Sequence, residues 1–297
     1  VAVIDKLLAP DSPFQAKFFF LARRFVAGET IETALEAVRA LNADGITATL
    51  DFLGEDVFEQ AEAQRTRDVY GKMLAAIEST GVRTNVSVKL TALGLLIDED
   101  LCVANLNTIL ERASSLHDPF VRIDMEGSAV TGATLRVFER VFALHKNVGP
   151  VIQAYLKRSA GDVERAIELG ARVRLCKGAY QEPAEIAYQA MPDIRREYLR
   201  LAEALLTRGV YPGIATHDVK LIEAVKEIAR SRGIGNDRFE FQLLYGVRPE
   251  VQRELVAEGY RVRVYVPFGT HWAGYFYRRI TERRANAIFA LRSMIER

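Results

Sequence analysis

The chain has 297 residues, 49% of them apolar and 27% charged, an ordinary globular balance with enough apolar material for a sizeable core. Its 40 basic residues against 39 acidic ones leave a formal net charge of +1, so no domain-wide basic field is present to hold a nucleic-acid backbone. Cys102 and Cys176 sit in apolar segments without C-x-x-C spacing, which argues against a zinc site or a disulfide framework and fits a reducing, cytoplasmic setting.

Taken in chain order, SPFQAKFFFLARRFVAG (12–28) reads as an extra helix. No signal-peptide order precedes it, and Val1 in place of methionine is expected to mark a trimmed start. One theme then repeats: a short β-branched run ending in a polar or Gly-containing turn, followed by a longer amphipathic stretch. The runs are TATLDF (47–52), TNVSVKL (84–90), FVRIDM (120–125), GPVIQAYL (149–156), RVRLCKG (172–178), YPGIATHD (211–218), FEFQLLYG (239–246) and RVRVYVPFG (261–269). Between them lie helical patterns such as VFEQAEAQRTRDVYGKMLAAIESTG and VKLIEAVKEIARSRG, with apolar residues at three and four spacing and Gly near the ends. A long helix, THWAGYFYRRITERRANAIFALRSMIER, follows the last run.

This alternation requires a parallel sheet, because each parallel pair needs a crossover of a dozen or more residues. Eight successive units favour closure into a (β/α)8 barrel of the TIM type over an open doubly wound sheet, with the last helix over the barrel top. No Ser/Gly-rich linker interrupts the series, so residues 1–297 are expected to form one domain.

In such a barrel chemistry gathers at the carboxyl ends of the strands. Those ends carry Lys89, Asp124 and Glu126, Gln153, Arg174 and Lys177, Thr216, His217 and Asp218, Gln242 and Tyr245, and Tyr265. A lone Lys, Gln or Tyr near a strand end is more often a solvated rim group than a ligand. The set reads differently, since charges of both signs inside a barrel are costly unless paired or bound to something, and Lys89 stands one strand from Asp124. Within RVRLCKG the pleat puts Arg172, Arg174 and Cys176 on one face, so Lys177 must reach the site from the turn at Gly178. The adjacent Arg278 and Arg279, after Trp272, Tyr275, Phe276 and Tyr277, are either surface charges or a carboxylate clamp. No G-x-G-x-x-G follows a strand and no P-loop pattern occurs. The four histidines are scattered, giving a metal site little support.

The segments SVKLTALG, RIDMEGS, IQAYLKRS, RLCKGAYQEP, IATHD, QLLYG and YVPFGTHWAGYFYRR resemble the proline dehydrogenase family. That resemblance implies a monofunctional bacterial flavoenzyme that oxidises L-proline to 1-pyrroline-5-carboxylate, with noncovalent FAD. It also implies a quinone acceptor reached by peripheral contact at the inner face of a membrane. Carried over at matching positions, Asp124 and Arg174 correspond to the active-site pair. Lys89, Arg278 and Arg279 correspond to the groups that hold the substrate carboxylate, and Leu244, Tyr265 and Tyr275 to the walls around its ring. Met125, Gln153, Arg174, Lys177, Gly178, Ala179, Thr216 and His217 match flavin-contacting positions. Gln181 departs from the long bifunctional members, which have tryptophan there, and the chain is expected to lack their aldehyde dehydrogenase half. Two rival functions stay open at this point: a lyase using Lys89 or Lys177 as a Schiff-base nucleophile, and a barrel that only binds a small carboxylate.

Overall fold

A β-branched run that alternates with polar residues pairs readily with a neighbour once the chain has a helix long enough to return it to the same end of the sheet. The computed structural model describes residues 22–273, 275 and 276. Within them β1 (Thr47–Phe52), β2 (Thr84–Val88), β3 (Val121–Ile123), β4 (Val148–Gln153), β5 (Arg174–Cys176), β6 (Gly213–Ala215), β7 (Glu240–Leu244) and β8 (Arg261–Phe268) form a closed parallel barrel in chain order. Closure comes from β8 pairing back onto β1, with Thr49 opposite Tyr265 and Asp51 opposite Pro267.

Helix α1 (Ile31–Ala43) precedes β1, and α2 (Gln60–Thr80), α3 (Glu99–Ala113), α4 (Ser128–Phe142), α5 (Ser159–Leu169), α6 (Met191–Arg208), α7 (Val219–Ser231) and α8 (Pro249–Ala257) make the seven crossovers. Local signals set their ends. Thr30 and Thr33 form a reciprocal cap on α1, Asp98 and Asp218 cap α3 and α7, and Gly81 and Gly170 end α2 and α5 in the left-handed conformation. The expected helix over 12–28 lies almost wholly outside the described residues. The last helix begins at Trp272, and Arg278 and Arg279 lie outside the described residues. Among the described residues no helix is long and apolar enough to cross a membrane.

Several strands are shorter than the sequence runs: β5 is Arg174–Cys176 rather than 172–178, and β2 stops before Lys89. At the carboxyl ends the polar residues leave the ladder to face the barrel mouth instead of continuing it. Strand alternation then divides the molecule in two. Leu50, Val86, Val88, Val121, Ile123, Ile152, Val173, Leu175, Ile214, Phe241, Leu243, Val262 and Val264 join helix side chains in one apolar shell around the barrel. Burying each such side chain contributes about 1.5–3 kcal/mol, and that shell holds the fold together. The opposite faces carry Thr49, Asp51, Asn85, Ser87, Arg122, Gln153, Arg174, Glu240, Gln242 and Arg263, all buried. The barrel is filled with polar side chains rather than the branched apolar layers usual for this architecture.

Candidate active site

A buried charge persists only when it is paired and hydrogen-bonded, and most of the inward charges satisfy that condition through one chain of contacts, while Arg122 donates to the Pro150 and Arg172 carbonyls. At the amino-terminal floor Arg263 on β8 pairs with Asp118 at 3.0 Å and with Glu240 on β7 at 2.8 Å. Gln242, two residues further along β7, donates its amide to Glu240 and accepts from the Arg174 Nε with its carbonyl oxygen. It lies against Gly213 of β6, where an added Cβ would come within 2.4 Å of the Gln242 amide nitrogen.

Above this joint Arg174 donates through Nη1 to Asp124 Oδ1 at 2.8 Å. The same carboxylate accepts from Ser87 Oγ at 2.6 Å and from the Tyr265 hydroxyl at 2.8 Å, while the Arg174 guanidinium lies 5.4 Å from the Tyr265 ring centroid. Lys89, just past β2, donates to Asp51 Oδ2 at 2.8 Å and reaches the Tyr265 hydroxyl at 3.5 Å. The sequence placed Lys89 beside Asp124; in the structure Lys89 pairs with Asp51, and Asp124 pairs with Arg174. Burial alone would lower the Lys89 pKa, but the charges of Asp51 and Asp124 outweigh it and hold the ammonium protonated well above the ordinary lysine range. Burial also pushes the Asp51 carboxyl up, and Lys89 draws it back down. Tyr265, half-buried with its hydroxyl between Asp124 and Asp51, is raised well above an ordinary phenol by burial and those two carboxylates and stays a hydrogen-bond donor.

A second sector is built by the ends of β4, β5 and β6. Gln153 donates to the Glu126 carbonyl at 3.0 Å and accepts from the Ala179 amide at 3.2 Å, which fixes the turn Lys177–Gly178–Ala179 over the end of β4. Gly178 has φ +124° and packs against Tyr155, so a Cβ there would fall 2.2 Å from the ring. Lys177 pairs with Asp218 at 3.2 Å, and Asp218 also accepts from Arg195 at 2.8 Å. Thr216 Oγ accepts from the Asp218 amide at 3.1 Å, and His217 Nε2 accepts from the Leu244 amide at 2.8 Å, which makes that nitrogen the unprotonated one. Met125 is buried beside this sector and Leu244 half-buried above it. Tyr275, at the start of the last helix, is buried with Trp272, Phe276 and Leu53, and Tyr265 packs against that group.

Glu126 is a third element of the mouth. Both its oxygens face Thr91, accepting from the backbone amide at 3.2 Å and from the hydroxyl. Thr91 Oγ accepts in turn from the Asp56 amide at 3.0 Å, so the carboxyl anchors the loop after β1. Burial pushes its pKa up to about 7 against the opposing Thr91 bonds.

The structure therefore brings together Lys89, Asp124, Arg174 and Tyr265 in one cluster, and Gln153, Lys177, Gly178, Ala179, Thr216 and His217 around the ends of β4, β5 and β6. Asp51, Ser87 and Tyr155 were missed. The signal was present for the first two, since TATLDF and TNVSVKL place Thr49 with Asp51 and Asn85 with Ser87 and Lys89 on one face at period two. The charge pairing does not favour the Schiff-base reading. A nucleophilic amine needs a lowered pKa, and both lysines are paired to carboxylates, with Lys89 held protonated.

An eight-stranded parallel barrel with paired, buried charges at its carboxyl-terminal mouth defines an enzyme of the (β/α)8 class. Comparison with known proteins makes the assignment specific. The pattern of the proline dehydrogenase family matches residues 34–292, and the chain belongs to that family. It is 42% identical over 285 residues to a proline dehydrogenase of Deinococcus radiodurans, an alignment covering 94% of this chain and 92% of the relative. It is 41% identical over 276 residues to proline dehydrogenase 1 of Bacillus subtilis, covering 93% and 91%. Among solved structures, proline utilization A from Bdellovibrio bacteriovorus, inactivated by N-propargylglycine, superposes with a TM-score of 0.82 at 27% identity. That superposition covers 89% of this chain and 33% of the larger protein, so the chain spans about a third of its length.

Proposed function

We propose that this protein oxidises L-proline to 1-pyrroline-5-carboxylate with FAD as hydride acceptor, the first step of proline catabolism to glutamate. The observation that carries the reading is the Asp124–Arg174–Tyr265–Lys89 cluster standing beside the Gln153–Gly178 cradle, in a chain of this family. Electrons would pass to a quinone by peripheral contact at the inner membrane face, and residues 1–297 would act as one domain.

The residues present fit a flavin. The turn at Gly178 is pinned from two directions, by Gln153 on the Ala179 amide and by the Tyr155 ring, which fills the place of a Cβ, so its backbone is held where a planar ring could meet it. When bound, FAD supplies the two-electron acceptor at N5. The chain supplies the rest. Met125, Gln153, Lys177, Gly178, Ala179, Thr216 and His217 would hold the cofactor, with Arg174 at its reacting edge favouring electron density there. Lys89, Arg278 and Arg279 would bind the proline carboxylate, while Leu244, Tyr265 and Tyr275 confine the ring, so that its C5–H faces the acceptor. Loss of that hydride and of the amine proton leaves the C=N bond of the product. Asp124 accepts three hydrogen bonds and orients Arg174 and Tyr265.

The test is a visible spectrum of FAD-loaded protein, anaerobic, with L-proline. Bleaching of the oxidised flavin bands is expected. Protein that takes up no flavin, or keeps its oxidised spectrum under saturating proline, would overturn the reading.

A further inference from the structure

The carboxylate clamp proposed above relies on Lys89, an amine on a flexible four-carbon stem. Something must set where its charge stands before a ligand arrives. Asp51 is the last inward residue of β1 and is fully buried at 0% exposure, against 8% for Lys89. Oδ2 holds the ammonium at 2.8 Å, and among the described residues Oδ1 is buried with no hydrogen-bond partner, so Lys89 is the main group that compensates the burial of this carboxylate, with the Tyr265 hydroxyl adding to it. Lys89 has three N–H donors; Asp51 takes one and the Tyr265 hydroxyl lies at reach of a second, which leaves one for a ligand.

We propose that Asp51 is the positioning residue for Lys89, fixing the ammonium on the β1–β2 wall of the barrel mouth so that a substrate carboxylate meets a cation already in place. The inference rests on the clamp role given to Lys89 above and extends it to a residue on a different strand. Asp51 acts through Lys89 and does not itself bind the ligand. The groups facing Lys89 are Asp51 and Glu55 from β1 and the loop after it, Asp124 and Glu126 from beyond β3, and Tyr265 from β8. Of these Asp51 alone makes a close ion pair with the ammonium.

A purely electrostatic view gives the opposite expectation, because removing an anion from a carboxylate site would tighten binding. The experiment uses calorimetry of FAD-loaded protein with cyclopentanecarboxylate, a five-membered ring that carries the carboxylate and no oxidisable amine. D51N is expected to weaken binding about tenfold, the loss of one well-placed charge-assisted hydrogen bond. The loss should grow between pH 7 and pH 10, as burial, no longer opposed by its nearest anion, lowers the Lys89 pKa. In wild-type protein Lys89 adds no pH dependence across that range. In a K89M background D51N should change affinity no further and should raise the melting temperature, because K89M alone leaves a buried carboxylate unpaired. The K89M and D51N/K89M pair carries the test even if D51N does not accumulate in folded form.

Wild-type or tighter binding by D51N, or a tenfold loss on adding D51N to K89M, overturns the proposal. Wild-type protein that neither binds the ring carboxylate nor is bleached by L-proline would instead overturn the function proposed above.

Discussion

Arg174 and Asp124 form a 2.8 Å ion pair across the barrel mouth although strand β4 lies between the strands that carry them. The pair means that the guanidinium is not an isolated charge. Its Nε is committed to Gln242 and one Nη1 bond to Asp124, so its orientation is fixed before any ligand enters. Replacing Arg174 with Ala removes this cation and leaves Asp124 with a phenol and a serine hydroxyl. The limiting rate of flavin reduction by proline is expected to fall at least about tenfold, or ~1.4 kcal/mol in barrier, with a lower flavin potential and a smaller change in proline affinity. Anaerobic stopped-flow reduction and a redox titration measure both. Unchanged values would make Arg174 only a structural partner of Asp124.

Gly178→Ala tests the cofactor cradle. The new methyl would meet the Tyr155 ring at 2.2 Å, and φ of +124° is strained for any side chain, at a cost of about 1–3 kcal/mol. The turn should shift away from Gln153, and the variant should lose flavin on gel filtration while retaining its circular dichroism spectrum. Retention of a full complement of flavin would mean that this turn does not touch the cofactor.

Glu126 gives a pH signature with a definite sign. Its carboxyl titrates at about 7 in the folded protein against an ordinary 4.5, so across that window the folded state keeps a proton that the unfolded chain has released. Stability from this group therefore falls as pH rises from 4.5 to about 7, by roughly 3 kcal/mol in all, and is level above that. Urea unfolding at a series of pH values should show the wild-type minus E126Q difference declining through the window. A difference that stays level would place the carboxyl in an ordinary environment.

For the carboxylate clamp, Arg278→Met or Arg279→Met should raise the Michaelis constant for proline about ten- to a hundredfold, the worth of a charge-assisted hydrogen bond. Flavin content should survive in Arg278→Met. Wild-type kinetics in both variants would return these residues to surface charges.

Barrel closure was legible because eight β-branched runs alternate with helical ones, and β1 matches its run at Thr47–Phe52. The polar cluster was legible as a set, and the face carrying Arg174 followed from the pleat. Partners were not. Which carboxylate takes Lys89 depends on how β1 and β2 are staggered, Asp51 lying opposite Ser87, and no single run encodes that stagger. Tyr155 escaped notice for a related reason: its role is to back a glycine 23 residues away, a relation that exists only once β4 and β5 lie side by side.

The amide of Gln242 has a consequence for how the barrel can change. Below it stand Glu240, Arg263 and Asp118; above it stand Arg174, Asp124, Tyr265, Lys89 and Asp51. Glutamine carries no net charge, and its two ends are chemically distinct, oxygen toward the guanidinium and nitrogen toward the carboxylate. It works as a joint that passes orientation from floor to mouth without adding a charge of its own. A glutamate at 242 would set a second carboxylate against Glu240 and break the donor–acceptor order of the joint.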